Sequence, residues 1–318
     1  MSLGEFELIA RFFDRGPARD AILGVGDDCA LLAPVQPHCV TAVSTDMLLE
    51  GRHFVATDDP ETVGHRALAV NLSDLAAMGA RPRAFTLALA VPQVDEAWLG
   101  GFCAGLFAIA DRHGCELVGG DTTRGPATIC ITVFGEVPPE AALRRDAAQP
   151  DDDLWVSGTL GAAALAVHAH SEGRPRPPGD PARLRLERPE PRVALGLSLR
   201  HVARAAIDLS DGLIGDLGHI LDRSRAGAEV DWSVVPVDPS LDDLPEPLRR
   251  RLALAGGDDY ELLFSAAAEN RSAIEAIGRR LALPLTRIGR IVAGEGLRFH
   301  DARGRPLTVD AHGFDHFA

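Results

Sequence analysis

The stretch LGVGDDCALL, residues 23–32, sets Asp27 and Asp28 side by side between glycines and an apolar run. Neighbouring like charges repel, so such a pair is explained by water or by a cation nearby. Similar carboxylates recur at Asp46 after a β-branched run, Asp74 within an apolar helix, Asp121 in ELVGGDTTRG, Asp208 and Asp211 in IDLSDGL, and Asp258 and Asp259 in GGDDYELLF. Each alone has an ordinary reading as a turn residue, an N-cap or a solvated acid. Together, Asp28, Asp46, Asp74, Asp121 and Asp208 fall at strand ends, glycine turns or an apolar helix face, where glycine lets backbone approach a ligand closely. All-oxygen donor sets of this kind suit a hard cation such as magnesium, which commonly bridges to substrate phosphates.

Composition narrows the chemistry. The chain has 318 residues, 46% of them hydrophobic and 25% charged, enough for one or two buried cores; two domains are expected. Its formal charge of −14 disfavours a nucleic-acid partner, because phosphate backbones need a basic face. All 32 basic residues are arginine. With no lysine there is no P-loop lysine, no kinase strand lysine and no Schiff-base amine, so phosphate chemistry must rely on arginine, backbone N–H groups and metals. No apolar run is long enough for a membrane span, and Glu5 and Glu7 stand where a leader would be basic. The five scattered cysteines, without a C-x-x-C pair, read as reduced small hydrophobes, which points to the cytoplasm and away from structural zinc. There is no H-E-x-x-H and no G-x-S-x-G.

The elements that must position these acids follow from periodicity. Apolar spacing predicts a helix over 5–14. A strand begins in CVTAVSTDMLL and breaks into a loop around Asp46, with His53 in that loop. A helix opens with Asp59 as N-cap and Pro60 at its first position and closes at Gly79; within it Asn71 and Asp74, three apart, share a face. ELVGG runs into Asp121 at a strand end, and ATICITVFGEV is the next strand. The polar stretch around 146–153 marks the domain boundary. Beyond it come a strand, a glycine turn and an Ala-rich helix, whose SGTLGAAALAV is read as strand–helix packing in preference to a phosphate loop. The Pro- and Arg-rich segment 171–192 reads as a long surface excursion. A strand then ends at Asp208, Ser210 or Asp211 caps a helix, and Leu213, Leu217 and Ile220 form that helix's apolar face. The lone Tyr260 is assigned to packing.

Eight stretches, GEFELIARFF, GVGDDCALL, STDMLLEGRHF, ALAVNLSDLAAMGARP, GGDTTRGP, IDLSDGL, GGDDYELLF and GFDHF, run in order along nearly the whole chain and resemble the thiamine-monophosphate kinase family of the aminoimidazole ribonucleotide synthetase-like superfamily. The resemblance implies an α+β, two-domain aminoimidazole ribonucleotide synthetase-like fold. Residues 1–148 would be a mixed-sheet domain that binds metal and ATP and pairs across a homodimer; residues 149–318 would be an α/β sandwich domain completing the active site. The implied reaction is ATP-dependent phosphorylation of thiamine monophosphate to thiamine diphosphate. By the same resemblance, Asp28, Asp46, Asp74, Asp121, Asp208 and Asp211 would hold several magnesium ions, with Ser44 and Thr45 adding oxygen ligands. Asp28, Asp46, Asp74, Asp121 and Asp211 form the implied catalytic set. Gly120, Asp121, Arg145 and Ser210 would contact nucleotide, and His53, Asp258 and Phe314 would contact thiamine monophosphate, the last through its ring face. The family often has glutamate where this chain has Asp258.

Two other readings stand beside this one. Another ATP-dependent synthetase of the superfamily would use the same acids, but selenophosphate synthesis wants a reactive cysteine in a flexible leading segment, and a hydrogenase-maturation relative should end in cysteine, whereas this chain ends DHFA. A non-catalytic nucleotide or divalent-ion binding protein would need only some of the motifs found together here.

Overall fold

In the computed structural model, residues 4–26 and 28–309 are described. Asp27 and the terminal segment that carries Phe314 lie outside them. The chain divides into two compact units, Met1–Leu75 with Ala80–Glu140, and Ala76–Gly79 with Ala141–Ala318.

The amino-terminal unit contains α1 (Glu5–Phe12), β1 (Ala21–Leu23), β2 (Leu31–Leu32), β3 (Val40–Leu49), α2 (Pro60–Ala77), β4 (Arg81–Val91), α3 (Glu96–His113), β5 (Glu116–Arg124) and β6 (Thr128–Val137). Helix α2 starts as its sequence requires: Asp59 Oδ1 accepts the Glu61 N–H at 3.0 Å and Pro60 fills the first helical position. β1 and β2 form a small antiparallel pair, and the main sheet has the order β3-β6-β4-β5, antiparallel except for the parallel β4–β5 pair. On β6, Ile129, Ile131 and Val133 are buried and alternate with half-buried Thr128, Cys130 and Thr132, so one sheet face is core. Leu75 of α2 packs there against Gly135. Where α2 crosses α3, a Cβ on Gly64 would lie 2.0 Å from the Phe102 carbonyl oxygen and one on Gly105 would lie 1.8 Å from that of Glu61, so glycine sets how closely these helices approach. The other sheet face leaves Val43, Met47 and Leu49 exposed.

Two site residues sit differently from the sequence expectation. Asp46 lies inside β3, which continues to Leu49, and Asp121 lies inside β5, which continues to Arg124. Both polar residues read as strand breaks, yet each is carried by main-chain pairing with neighbours distant in sequence.

The carboxy-terminal unit contains β7 (Asp153–Ser157), α4 (Ala162–Ser171), α5 (Pro181–Glu187), α6 (Val193–Leu199), β8 (Ala205–Asp208), α7 (Leu213–Ser224), β9 (Gly227–Asp231), α8 (Glu246–Ala255), β10 (Leu262–Ala266), α9 (Arg271–Leu281), β11 (Leu285–Val292), β12 (Gly296–His300) and β13 (Pro306–Leu307). Its mixed sheet runs β13-β12-β9-β11-β7-β10-β8. Leu213, Leu217 and Ile220 of α7 join Leu154, Val156, Ile207 and Leu263 of the sheet in one buried cluster. The segment 171–192 is not a plain excursion. Asp180 caps α5 by accepting from the Ala182 and Arg183 amides, and Arg185 and Arg192 reach buried Glu261. No side chain caps α7 either: Gly212 occupies the N-cap at φ +100°, so neither Ser210 nor Asp211 has the predicted role.

Candidate active site

Within the amino-terminal unit the acidic residues gather where β3 faces α2. Ser44 and Asp46 lie on one side of the strand, and Asn71 and Asp74 on one face of the helix. The Ser44 hydroxyl donates a short hydrogen bond to Asp74 Oδ2. The Asp46 N–H, on an edge strand, donates to Asn71 Oδ1 at 3.1 Å, while Asn71 Nδ2 donates to the Ala67 carbonyl at 3.0 Å. Fully buried Asn71 thus joins strand and helix and fixes the spacing of Asp46 and Asp74. Thr45 alternates to the other sheet face, where its hydroxyl pairs with that of Thr132 at 2.8 Å.

The remaining predicted residues of this unit have separate settings. Asp28 is exposed in a bend after Gly26, whose φ of +112° requires glycine although nothing crowds it. Asp121 stands on β5 beside Gly120, where a Cβ would meet the Leu87 carbonyl oxygen at 1.9 Å, so sheet packing alone accounts for that glycine. His53 Nδ1 accepts the Leu49 N–H at 3.0 Å, and Arg66 donates to the His53 carbonyl at 2.8 Å. The neutral ring therefore carries its proton on Nε2.

In the carboxy-terminal unit, IDLSDGL and GGDDYELLF meet. The Asp258 N–H donates to the Ser210 carbonyl at 2.9 Å, Tyr260 N–H to Leu209 O at 2.8 Å, and Leu209 N–H to Glu261 O at 2.9 Å, which extends the β8–β10 pairing past the strand ends. A Cβ on Gly257 would lie 2.2 Å from the Ser210 carbonyl oxygen, so the approach needs glycine. Asp208 is buried, and the Asp211 N–H donates to Asp216 Oδ2 at 3.1 Å. Burial, then the charges of Asp208 and Asp211, push the Asp216 carboxyl up to about 8, against the pull of the Asp211 amide and Arg145. Arg145 is held near this group through its carbonyl, which accepts from Ser224 Oγ at 2.8 Å on α7.

Buried Asp216 and Glu261 of this unit escaped the sequence reading, and Asp259 was noticed only as one of a pair of turn carboxylates. Asp216 had a signal: it falls on the apolar stripe of α7, three residues after Leu213 and four before Ile220. Glu261 had none, and nothing local distinguished the burial of Asp259 from its neighbour Asp258, because both precede β10 in a glycine-led stretch. Tyr260, assigned to packing, is half-buried and its hydroxyl donates to Asp258 Oδ1 at 3.3 Å.

The donor chemistry fits magnesium. Among the described residues no three His, Cys, Asp or Glu side chains form a ready ion cage. Magnesium is commonly held by one or two carboxylates together with substrate phosphates and water, and the β3–α2 junction offers Asp46, Asp74 and the Ser44 hydroxyl. In the carboxy-terminal unit, Asp208 and Asp211 already raise Asp216, and a divalent cation would offset that repulsion.

Residues 26–137 match the model of the AIR synthase related protein N-terminal domain, and residues 149–302 match that of the corresponding C-terminal domain. The chain is 46% identical to thiamine-monophosphate kinase of Escherichia coli K12 over 325 aligned residues, covering 100% of this chain and 99% of that protein. The crystal structure of thiamine-monophosphate kinase from Stenotrophomonas maltophilia K279a superposes with a TM-score of 0.85 at 47% identity, over 96% of this chain and 99% of that one. The structure of AaThiL complexed with AMPPCP and TMP gives a TM-score of 0.77 at 26% identity, over 100% and 99% of the two chains.

Proposed function

Because the chain belongs to the AIR synthase related family, with thiamine-monophosphate kinases among its full-length relatives, we propose that it phosphorylates thiamine monophosphate with ATP to give thiamine diphosphate and ADP. The observation that carries this reading is the 46% identity to a thiamine-monophosphate kinase along the entire chain.

The chemistry follows from the residues. A phosphate monoester carries roughly −1.5 to −2 charge near neutral pH, so a terminal oxygen of thiamine monophosphate is already a nucleophile. It attacks the γ-phosphorus of ATP; the new P–O bond forms as the bond to the β-phosphate oxygen breaks, and ADP leaves with that electron pair. No side chain has to remove a proton. What the protein must supply is position and relief of charge repulsion. Asp28, Asp46, Asp74, Asp121, Asp208 and Asp211 would hold magnesium ions, with Ser44 and Thr45 adding oxygen ligands. Bound magnesium supplies positive charge to the polyphosphate and aligns donor with acceptor. Gly120, Asp121, Arg145 and Ser210 would take the nucleotide, Arg145 being the guanidinium whose charge acts on Asp216 in its own unit. His53 would offer Nε2–H, and Asp258 a carboxylate, to thiamine monophosphate; Phe314 keeps its expected ring contact as part of this proposal.

The working form we propose is a cytoplasmic homodimer. What supports the dimer is the sheet face with Val43, Met47 and Leu49 exposed in one row on edge strand β3. Among the described residues no helix is long and apolar enough to cross a membrane, and all five cysteines are free thiols, as a reducing compartment requires.

Phosphorus NMR of the protein with ATP, magnesium and thiamine monophosphate, beside a sample without acceptor, tests the reading. Acceptor-dependent thiamine diphosphate and ADP are expected. ADP with orthophosphate would assign the chain to another ATP-dependent synthetase of the family, and nucleotide binding without turnover would make it a binding protein.

A further inference from the structure

Along GGDDYELLF, outward and inward residues alternate under unusual backbone conditions. Asp258 and Tyr260 have φ of +66° and +50°, while Asp259 and Glu261 are buried. Left-handed conformations are disfavoured for residues with a Cβ and persist where the surroundings over-determine them. Here the surroundings are explicit. Both carboxylate oxygens of Asp259 accept the Gly161 N–H, at 2.9 and 3.1 Å, as α4 begins. Glu261 accepts from Ser157 Oγ at 2.6 Å, Arg185 Nη2 at 2.7 Å, and Arg192 Nε and Nη2 at 2.7 and 2.5 Å. A Cβ on Gly158 would lie 2.1 Å from Glu261 Oε1, so the neighbouring turn leaves room for the carboxylate. Burial would raise the Glu261 carboxyl, but Arg192 and Arg185, helped by Ser157, hold it below the usual carboxylate range. On the outward side, Tyr260 donates its hydroxyl to Asp258.

We propose that Glu261, clamped by Arg185 and Arg192, is a positioning residue for the thiamine monophosphate contact at Asp258. The clamp holds the inward side of the segment, Tyr260 and Asp258 are thereby kept in their left-handed conformations, and the Tyr260 hydroxyl aims the Asp258 carboxylate. The inference rests on the assignment of Asp258 as a substrate contact. It gives the Arg-rich segment before α6 a place in substrate recognition.

The test compares Glu261→Gln, Asp258→Ala and the double variant, with KM measured separately for thiamine monophosphate and for ATP. Glu261→Gln is expected to raise KM for thiamine monophosphate about tenfold, leave KM for ATP within about twofold, and add nothing in the Asp258→Ala background. Effects that multiply in the double variant, or that fall equally on both substrates, would overturn the positioning role and leave Asp258 as a contact. An unchanged KM for thiamine monophosphate in Asp258→Ala alone would remove the contact, and the positioning role with it. If Glu261→Gln does not fold, Arg185→Met takes its place in the same comparison, since it removes one cation on a side chain that is 25% exposed.

Discussion

The Asp258 amide donates to the Ser210 carbonyl at 2.9 Å, and this bond joins two acidic motifs about fifty residues apart in the chain. Ser210 belongs to the proposed nucleotide side and Asp258 to the substrate side. A shared backbone bond makes their relative position a property of the β8–β10 pairing, whose register runs from Leu262 opposite Asp208 to Ser265 opposite Ala205. Positioning of this kind, built on strands, is stiffer than positioning by loop tips.

At the β3–α2 junction, Asp74→Asn keeps an oxygen able to accept the Ser44 hydroxyl but removes the charge. The fold is expected to survive, with an unchanged far-UV circular dichroism spectrum, while turnover falls by at least about a hundredfold. Thorough chelation of the unmodified protein should abolish turnover, and added magnesium should restore it. A full rate in Asp74→Asn would take Asp74 out of the metal site; activity surviving chelation would sink the metal-assisted scheme.

On the open sheet face, Met47 is 52% exposed and stands opposite Cys130, with Val43 and Leu49 in the same row. Met47→Glu places a charge in that row, and burying an unpaired charge at an interface costs several kcal/mol. Sedimentation velocity should show about twice the 33.8 kDa chain mass for the unmodified protein and the single-chain mass for the variant. An unmodified protein that sediments as a single chain at micromolar concentration would rule out the homodimer.

Much of this was legible in the sequence where the signal is local. The spacing of Asn71 and Asp74 placed both on one helix face, and each now bonds to β3. Asp59 and Pro60 marked the start of α2, and Leu213, Leu217 and Ile220 the buried face of α7. What local signals missed was held by distant partners. Asp46 and Asp121 looked like strand ends because polar residues resemble breaks, whereas sheet pairing carries both strands onward. Glu261 went unremarked because its arginines lie 76 and 69 residues earlier, in a segment whose prolines suggested a loop. In Gly120 the reverse held: a glycine assigned to nucleotide binding is already demanded by the Leu87 carbonyl.

Glycine substitutions separate crowded positions from open ones. Gly158 has φ +59° and a Cβ there would meet the Glu261 carboxylate, so Gly158→Ala is expected to cost at least about 2 kcal/mol through backbone strain and displacement of a buried ion pair. Gly218, inside α7 with nothing within 4 Å of its Cβ position, is the control: Gly218→Ala should gain about 0.5–1 kcal/mol. Urea unfolding midpoints provide the comparison. Equal midpoints for Gly158→Ala and the unmodified protein would contradict the placement of Glu261.

The pH dependence of stability can be read at Asp153, the first residue of β7. Arg271 donates to it twice, at 2.5 and 2.7 Å, and Arg287 once, at 3.3 Å. Burial works to raise this carboxyl, but the two guanidinium groups prevail and hold it below its ordinary value of 3.8. A carboxyl lowered in the folded state stabilises the protein above its unfolded value, and that contribution is lost as pH falls through the folded value. Asp153→Asn should therefore be less stable than the unmodified protein at pH 7, by about 1–3 kcal/mol, because charge-assisted bonds become neutral ones. The deficit should shrink steadily as the pH is lowered past 3.8, since the unmodified side chain then becomes neutral too. Thermal midpoints of the two proteins measured from pH 7 downward give the curve. A deficit that stays constant across the whole range would mean that shape and packing, not the charge of Asp153, hold Arg271 and Arg287 to β7.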